Sequence, residues 1–410
     1  MSLTRFYRLL GPGILFAAAA IGVSHLVQST RAGALHGLAL IPILLLACIA
    51  KYPSLVIGVL YPMKTGRTLL QSYRDQGLWA LTLYLLIALY SMWFVLAAIA
   101  LTTAGLVQAV LGWQAGIETA TAAVLGAAVL VLVSGRYQGL EHVSKWLLGV
   151  LAMLLPLATL LVLPQVDFSA SAWVVDRWDY ATIAFVIALA GWMPIPVDAS
   201  VMTSTWSATR SEESGNATSA ADARADFNVG YGLTILFALC FVLLGAGVLH
   251  ASGTEPPAGA GPFAGMVIEL FTSQLGAWSF YLIGAIAFVT MFTTLLTAMD
   301  GQVRVVLYAA RSLRPGWSPG TGLYPVMLVA YASGGLGVVT FFLEDFATFI
   351  DFATSLGFLI APVVVILNHL ALFGRNGAGG SRGLYWWSLG GGAVLCGASL
   401  VYFGLAVFRF

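Results

Sequence analysis

Two apolar stretches, each long enough to cross a bilayer, are interrupted midway by residues that do not continue a helix. The first carries Ala20-Ile21-Gly22-Val23-Ser24-His25, and the second Gly191-Trp192-Met193-Pro194-Ile195-Pro196-Val197-Asp198. Inside the hydrocarbon, water cannot satisfy backbone N–H and C=O groups, so non-helical chain survives there only where it lines a cavity or holds a ligand. Pro194 and Pro196 lack an N–H, and each disfavours helical geometry in the residue before it, which frees carbonyls around Ala190 to Met193. The first break is softer: Gly22, then the polar pair Ser24 and His25. A kink without a ligand accounts for either break alone; two breaks in corresponding positions point to a binding site.

Composition places the chain in a membrane. Only 9% of the 410 residues are charged and 60% are hydrophobic, against about a quarter charged in soluble domains. The cations are scattered rather than clustered, so the net charge of +1 gives no surface for nucleic acid. Cys48, Cys240 and Cys396 each sit in an apolar run without metal-ligand spacing and read as small buried residues. The basic start (Arg5, Arg8) runs directly into a full-length span, and no cleavable signal peptide is expected.

Apolar runs of roughly 20 residues predict about eleven spans, near 12–35, 38–62, 78–111, 117–135, 142–164, 181–206, 228–250, 278–309, 322–342, 347–373 and 385–408. With the N-terminus cytoplasmic, that side collects Arg5, Arg8, Lys64, Arg67, Arg74, Arg136, Lys145, Arg210, Arg224, Arg304, Arg311, Arg314, Arg375 and Arg382. The outer side keeps Arg177 and Arg409 beside acids such as Asp167, Asp176, Asp179, Glu255, Glu344 and Asp345. The positive-inside rule then gives a multi-pass cell-membrane protein, N-terminus in and C-terminus out. The polar stretch 207–227 reads as a mobile cytoplasmic loop, which leaves its Asn216-Ala217-Thr218 sequon unglycosylated. Gly374 to Gly383 reads as a flexible linker that sets an accessory eleventh span (385–410) apart from a core at 1–373.

The breaks fall in spans one and six. Five spans is an odd number, so a five-span repeat puts its second copy upside down and brings both breaks together near the midplane. The expected fold is all-α, an inverted repeat of 5+5 helices (12–164 and 181–373) plus one.

Gly11-Pro12-Gly13-Ile14-Leu15-Phe16-Ala17-Ala18-Ala19, followed by Ala32-Gly33-Ala34, resembles the opening of the Nramp (natural resistance-associated macrophage protein) family of divalent-metal transporters. Met193-Pro194 lies where that family has Met-Pro-His-Asn, and Asp300-Gly301-Gln302 is similar to its Ala-Gly-Gln. The resemblance covers spans one to ten and implies a LeuT-like fold and proton-linked metal uptake. It also implies metal positions at Gly22, His25, Ala190 and Met193. The departures lie at the ligands. Gly22-Val23-Ser24-His25 stands where the family has Asp-Pro-Gly-Asn, Ile195 and Pro196 replace His and Asn, and no acid lies between Asp75 and Glu118 in span three. One thioether, one imidazole and carbonyls make a poor cage for Mn²⁺ or Mg²⁺, which prefer oxygen.

The remaining intramembrane polar groups are costly to bury and therefore candidates for function. His25 either gates, carries a proton or binds an ion, or is simply hydrogen-bonded to freed backbone. Asp198 either couples transport beside His25 or caps the half-helix that restarts after Pro196. Lys51, about thirteen residues into span two, either snorkels to the interface or substitutes for a bound cation by pairing with Asp198 or Asp351. Arg31 reads as an interfacial anchor or gate charge.

The expected function is secondary active transport of a small ion or small molecule by alternating access, with a substrate site at Gly22, Ser24, His25, Ala190, Met193 and Asp198. His25, Lys51, Asp198 and Asp351 are the coupling or charge-pair candidates. A transporter-derived sensor or channel is the alternative. An enzyme is not expected, because no nucleophile-base pairing and no phosphate-cradling loop is present. No cofactor is expected, and the lipid bilayer is the other partner.

Overall fold

The computed structural model describes residues 16–17, 20–135, 137–214, 219–314, 316–317, 320, 322–343 and 345–407. The Gly11-Pro12-Gly13 opening, Arg5, Arg8, Arg136, the Asn216 sequon, Glu344 and Arg409 lie outside these residues. Among the described residues the chain is helical, with no strand.

Span one resumes after its break as a π-helical turn, Ser24–Ser29, running into Thr30–His36 (together α1). There follow α2 (Ile41–Thr65), the short α3 (Leu69–Gln76), α4 (Leu78–Leu111), α5 (Ile117–Val133) and α6 (Tyr137–Val162). Span six is split into α7 (Tyr180–Trp192) and α8 (Ala199–Ser214). The second half continues with α9 (Ala220–Leu244, extended by a π turn Gly245–His250), α10 (Ala260–Leu275), α11 (Phe280–Leu313), α12 (Leu323–Phe342), α13 (Phe346–Phe373) and α14 (Arg382–Val407). Seven described helices are long and apolar enough to cross a membrane: α2, α4, α9, α11, α12, α13 and α14. The broken spans, α6 and the shorter α5 complete the expected set. α3 and α10 were not expected; α3 is specified by a local capping box in which Thr68 and Gln71 satisfy each other's backbone N–H.

The ends follow local chemistry. Gly66 (φ 66°) and Gly112 (φ 61°) close α2 and α4 in the left-handed conformation. Asp179 accepts from the Thr182 N–H at the start of α7, and that bond holds its carboxyl below the usual range. The expected loop at 207–227 is corrected: α8 runs to Ser214 and α9 begins at Ala220, capped by Ser219. Polarity suggested a loop, but Ala, Arg and Glu are good helix formers and Ser219 starts the next helix.

The inverted repeat is visible in backbone contacts. α1 crosses α9 so closely that a Cβ on Gly245 would stand 2.3 Å from the Thr30 carbonyl oxygen. The related crossing, α8 on α2, is equally tight: a Cβ on Gly58 would stand 2.3 Å from the Ser200 carbonyl oxygen. Each broken span thus rests on the second span of the opposite repeat, through a glycine that admits backbone-to-backbone packing. The glycine-rich segment after α13 folds back instead of hanging free: the Gly379 N–H donates to the Leu372 carbonyl, and Lys64 donates to the Gly379 carbonyl. α14 lies on α2, where the Trp387 Nε1–H donates to the Ile49 carbonyl at 2.9 Å.

Gly58→Val is expected to lower the unfolding temperature of the detergent-solubilised protein, at a cost of roughly 1–3 kcal/mol from overpacking. Gly232→Ala, whose Cβ would meet no neighbouring atom within 4 Å, should leave it unchanged or slightly raised; equal behaviour of the two variants would contradict this packing.

Candidate functional site

Lys51 is completely buried in α2. Its ammonium points into the sixth-span break and donates to the carbonyls of Ala190 at 2.5 Å, Gly191 at 2.6 Å and, more weakly, Ile195 at 3.4 Å. An ammonium has three N–H donors, and here each has a carbonyl. The Ala190 carbonyl is the one that Pro194, lacking an N–H, leaves without its helical partner, and the Gly191 and Ile195 carbonyls lie in the same break. Among the described residues Lys51 makes no contact salt bridge with Asp198, although the two charges interact at longer range, and Asp351 is held by Arg31. Snorkelling is excluded as well, because the side chain runs to the break and not to an interface.

Both breaks border one cavity of about 70 Å³. Gly22 and Ser24 line it from span one, and Asp198 from the residue that precedes α8. Two helical ladders supply much of the rest, Asp198-Met202-Trp206 on α8 and Thr294-Ala298-Gln302 on α11, each at i, i+4, i+8. Trp192 and Phe16 complete the aromatic wall. Trp206, Thr294 and Gln302 were not foreseen; the i, i+4 spacing from Asp198 and through Gln302 was the available signal.

His25 is turned away from this cavity. Its Nε2 donates to the Thr234 carbonyl on α9 at 2.9 Å; with the proton there, Nδ1 accepts from the Ser24 hydroxyl at 2.9 Å. Met193 is fully buried in the apolar core and does not line the cavity, and Ala190 contributes only the carbonyl already held by Lys51. Of the expected site residues the cavity therefore gathers Gly22, Ser24 and Asp198. Among the described residues, no group of three or more His, Cys, Asp or Glu side chains is arranged to hold a metal ion.

On the His36 side of the breaks a polar latch joins α1 to α13. Arg31 grips Asp351 through two bonds, at 2.6 and 2.9 Å, and its guanidinium lies 4.9 Å from the centroid of Phe185 on α7. Gln28 donates to both Asp351 and Thr354 at 2.9 Å and accepts from Arg31 at 3.1 Å. A bidentate charge-assisted pair is the strongest polar link available to these side chains. On the other side, Asn368 of α13 donates to Ser54 Oγ at 2.7 Å and Ser200 Oγ at 2.8 Å and accepts from the Tyr73 hydroxyl at 2.6 Å. That network fastens the start of α8 to α2, α3 and α13.

An uncharacterised protein, PM0681, of Pasteurella multocida (strain Pm70) is 33% identical over 398 residues, covering 96% of this chain and 91% of its own length. The chain belongs to the family of that protein. No family model matches it. Among solved structures, a mutant of the Eremococcus coleocola manganese transporter matches with TM-score 0.72 at 11% identity, over 100% of this chain and 90% of that one. MhsT in complex with L-phenylalanine matches with TM-score 0.65 at 17% identity (95% and 97%), and Mhp1, a nucleobase-cation-symport-1 family transporter, with 0.57 at 13% (96% and 91%). At these identities the likeness is one of fold, and that fold is the LeuT-like inverted repeat of a multi-pass membrane protein.

Lys51→Met removes the donor from three carbonyls at a buried break, and the unsatisfied acceptors are expected to cost about 2–4 kcal/mol. Thermal unfolding should show the loss, with part of it recovered by Lys51→Gln, whose amide keeps two donors; a wild-type unfolding temperature in Lys51→Met would contradict this account of the break.

Proposed function

We propose that the chain is a secondary active transporter working by alternating access, with spans one and six moving about the cavity between them. One observation carries this reading: the two interrupted helices meet at a single cavity, and the Arg31–Asp351 latch closes the chain on one side of it. A ligand seated there touches both repeats at once, and its differential contacts are what shift the population between two access states. Besides the two breaks and Trp192, the described cavity wall draws on Phe16, α4, α8 and α11; Phe16, at the N-terminal end of span one, stands opposite the latch. With the N-terminus cytoplasmic, as the loop cations imply, the latch faces outside and the cavity lies toward the cytoplasm. We take 1–373 as the transporting core and 385–410 as an accessory span.

The Nramp resemblance makes a divalent metal the default cargo. Two features argue for a different one. Gly22 supplies no carboxylate, and the Ala190 carbonyl, which the resemblance assigns to the metal, carries the Lys51 ammonium. We read Lys51 as a built-in cation that replaces the transported one at that seat. Its charge satisfies the freed carbonyls without dissociating, so the break is held open whether or not a substrate is bound.

Labelling tests the access model. In a background with the partly exposed Cys396 replaced and the buried Cys48 and Cys240 retained, Ser24→Cys should react with a membrane-impermeant maleimide from the Phe16 side. Adding Arg31→Ala should open labelling from the opposite face. Reaction from one unchanged face in both backgrounds would contradict alternating access.

A further inference from the structure

The charge and lining of the cavity define a class of substrate, and the inference rests on the transporter reading of the same site. Among the described lining residues Asp198 is the one with an ionisable side chain. Among the described residues it has no salt bridge. The neighbouring cation, Lys51, is not in the cavity wall, and its three donors are directed to the carbonyls of Ala190, Gly191 and Ile195. The backbone N–H groups of Asp198 and Ala199 and, at longer range, the Lys51 charge act on the Asp198 carboxylate. Lys51 does so from outside the lining, and a carboxylate that faces a cavity at membrane depth favours a cation on the cavity side as well. The wall around it is otherwise aromatic and apolar, with Phe16, Trp192, Trp206 and Met202, and only a few hydroxyls and the Gln302 amide are polar.

These features exclude a bare divalent ion and favour a particular cation. A divalent metal needs about six oxygen ligands or a set of nitrogen and sulfur donors; among the described residues no three His, Cys, Asp or Glu side chains are grouped to hold one, and the described lining offers a single carboxylate. A phosphate or carboxylate substrate would meet Asp198 as a like charge. An alkylammonium meets both demands: its charge pairs with the carboxylate, and its methyl or methylene groups are weakly hydrated and lie against indole and phenyl faces, which attract cations through their quadrupoles. The volume of about 70 Å³ is roughly half that of a cavity known to accept benzene, which sets the size at about three to six heavy atoms.

We propose that Asp198, Trp206 and Trp192 form a site for a small organic cation, an alkylamine or methylated ammonium group, and that this is the class of solute the protein carries. Asp198 is the counter-ion, and the two tryptophans select an alkylated head over a hydrated inorganic one.

The test is binding to the purified full-length protein, read by tryptophan fluorescence and by thermal shift. The probes are methylammonium, trimethylammonium and tetramethylammonium, with tert-butanol as a neutral probe of similar size and Na⁺ and Mn²⁺ as inorganic cations. Saturable binding of the alkylammonium series, weakened about tenfold or more in Asp198→Asn, is expected. Asp198→Glu keeps the charge and should retain binding, and Trp206→Leu should weaken it while leaving the unfolding temperature near wild type. Preference for tert-butanol, or for Na⁺ or Mn²⁺, overturns the proposal, as does alkylammonium binding that is unchanged in Asp198→Asn. If none of the alkylammonium probes binds while Ser24→Cys still shows two-sided access, the substrate class is wrong and the transporter reading stands. If they bind as predicted but access never alternates, the site is right and transport is not.

Discussion

The ammonium of Lys51 on the carbonyls of the sixth span holds this architecture together. Two prolines within three residues cannot sit in a membrane helix unless something replaces the hydrogen bonds that they remove. A metal ion or a sodium ion would do so only while bound. Lys51 does so permanently, because it is tied to α2 by covalent bonds, and α2 is itself locked to α8 at Gly58. The prolines make the break and Gly58 admits the crossing of α2 and α8; the buried charge of Lys51 satisfies the carbonyls between them.

The two halves of the molecule use unlike chemistry for the same purpose. In the second repeat the break is held by a cation from α2; in the first, His25 reaches across to the Thr234 carbonyl of α9. Each link ties a broken span to the second span of the opposite repeat, alongside a glycine contact that brings the backbones together. The arrangement leaves Asp198 facing the cavity and places the Arg31–Asp351 pair at the far end of span one. The tethers thus sit at the breaks and the polar latch at one end of the same helix.

Much of this could be read from the sequence. Apolar run lengths gave the spans because bilayer thickness sets them, and the broken segments announced themselves through Gly22, Pro194 and Pro196. The depth of Lys51 in span two was legible, but sequence left snorkelling and burial both open, and its partners were not legible: side-chain charges suggest ion pairs, and backbone carbonyls leave no mark in a sequence. The Arg31–Asp351 pair was hidden by the 320 residues between its members. His25 was assigned to the site from its place beside the break and from the family motif; its side chain instead holds the Thr234 carbonyl, a partner 209 positions away that leaves no local signal. α10 was missed because it is too short to count as a span and too apolar to stand out as a surface helix.

If Lys51 fills the seat that a metal would otherwise occupy, the intact protein should not take up Mn²⁺ there. Isothermal titration of Mn²⁺ into the purified wild-type protein, together with Mn²⁺ uptake in proteoliposomes, tests it most directly. Wild-type protein should show neither saturable binding nor uptake above protein-free vesicles. Saturable Mn²⁺ binding with transport, while Lys51 is intact, would contradict the account.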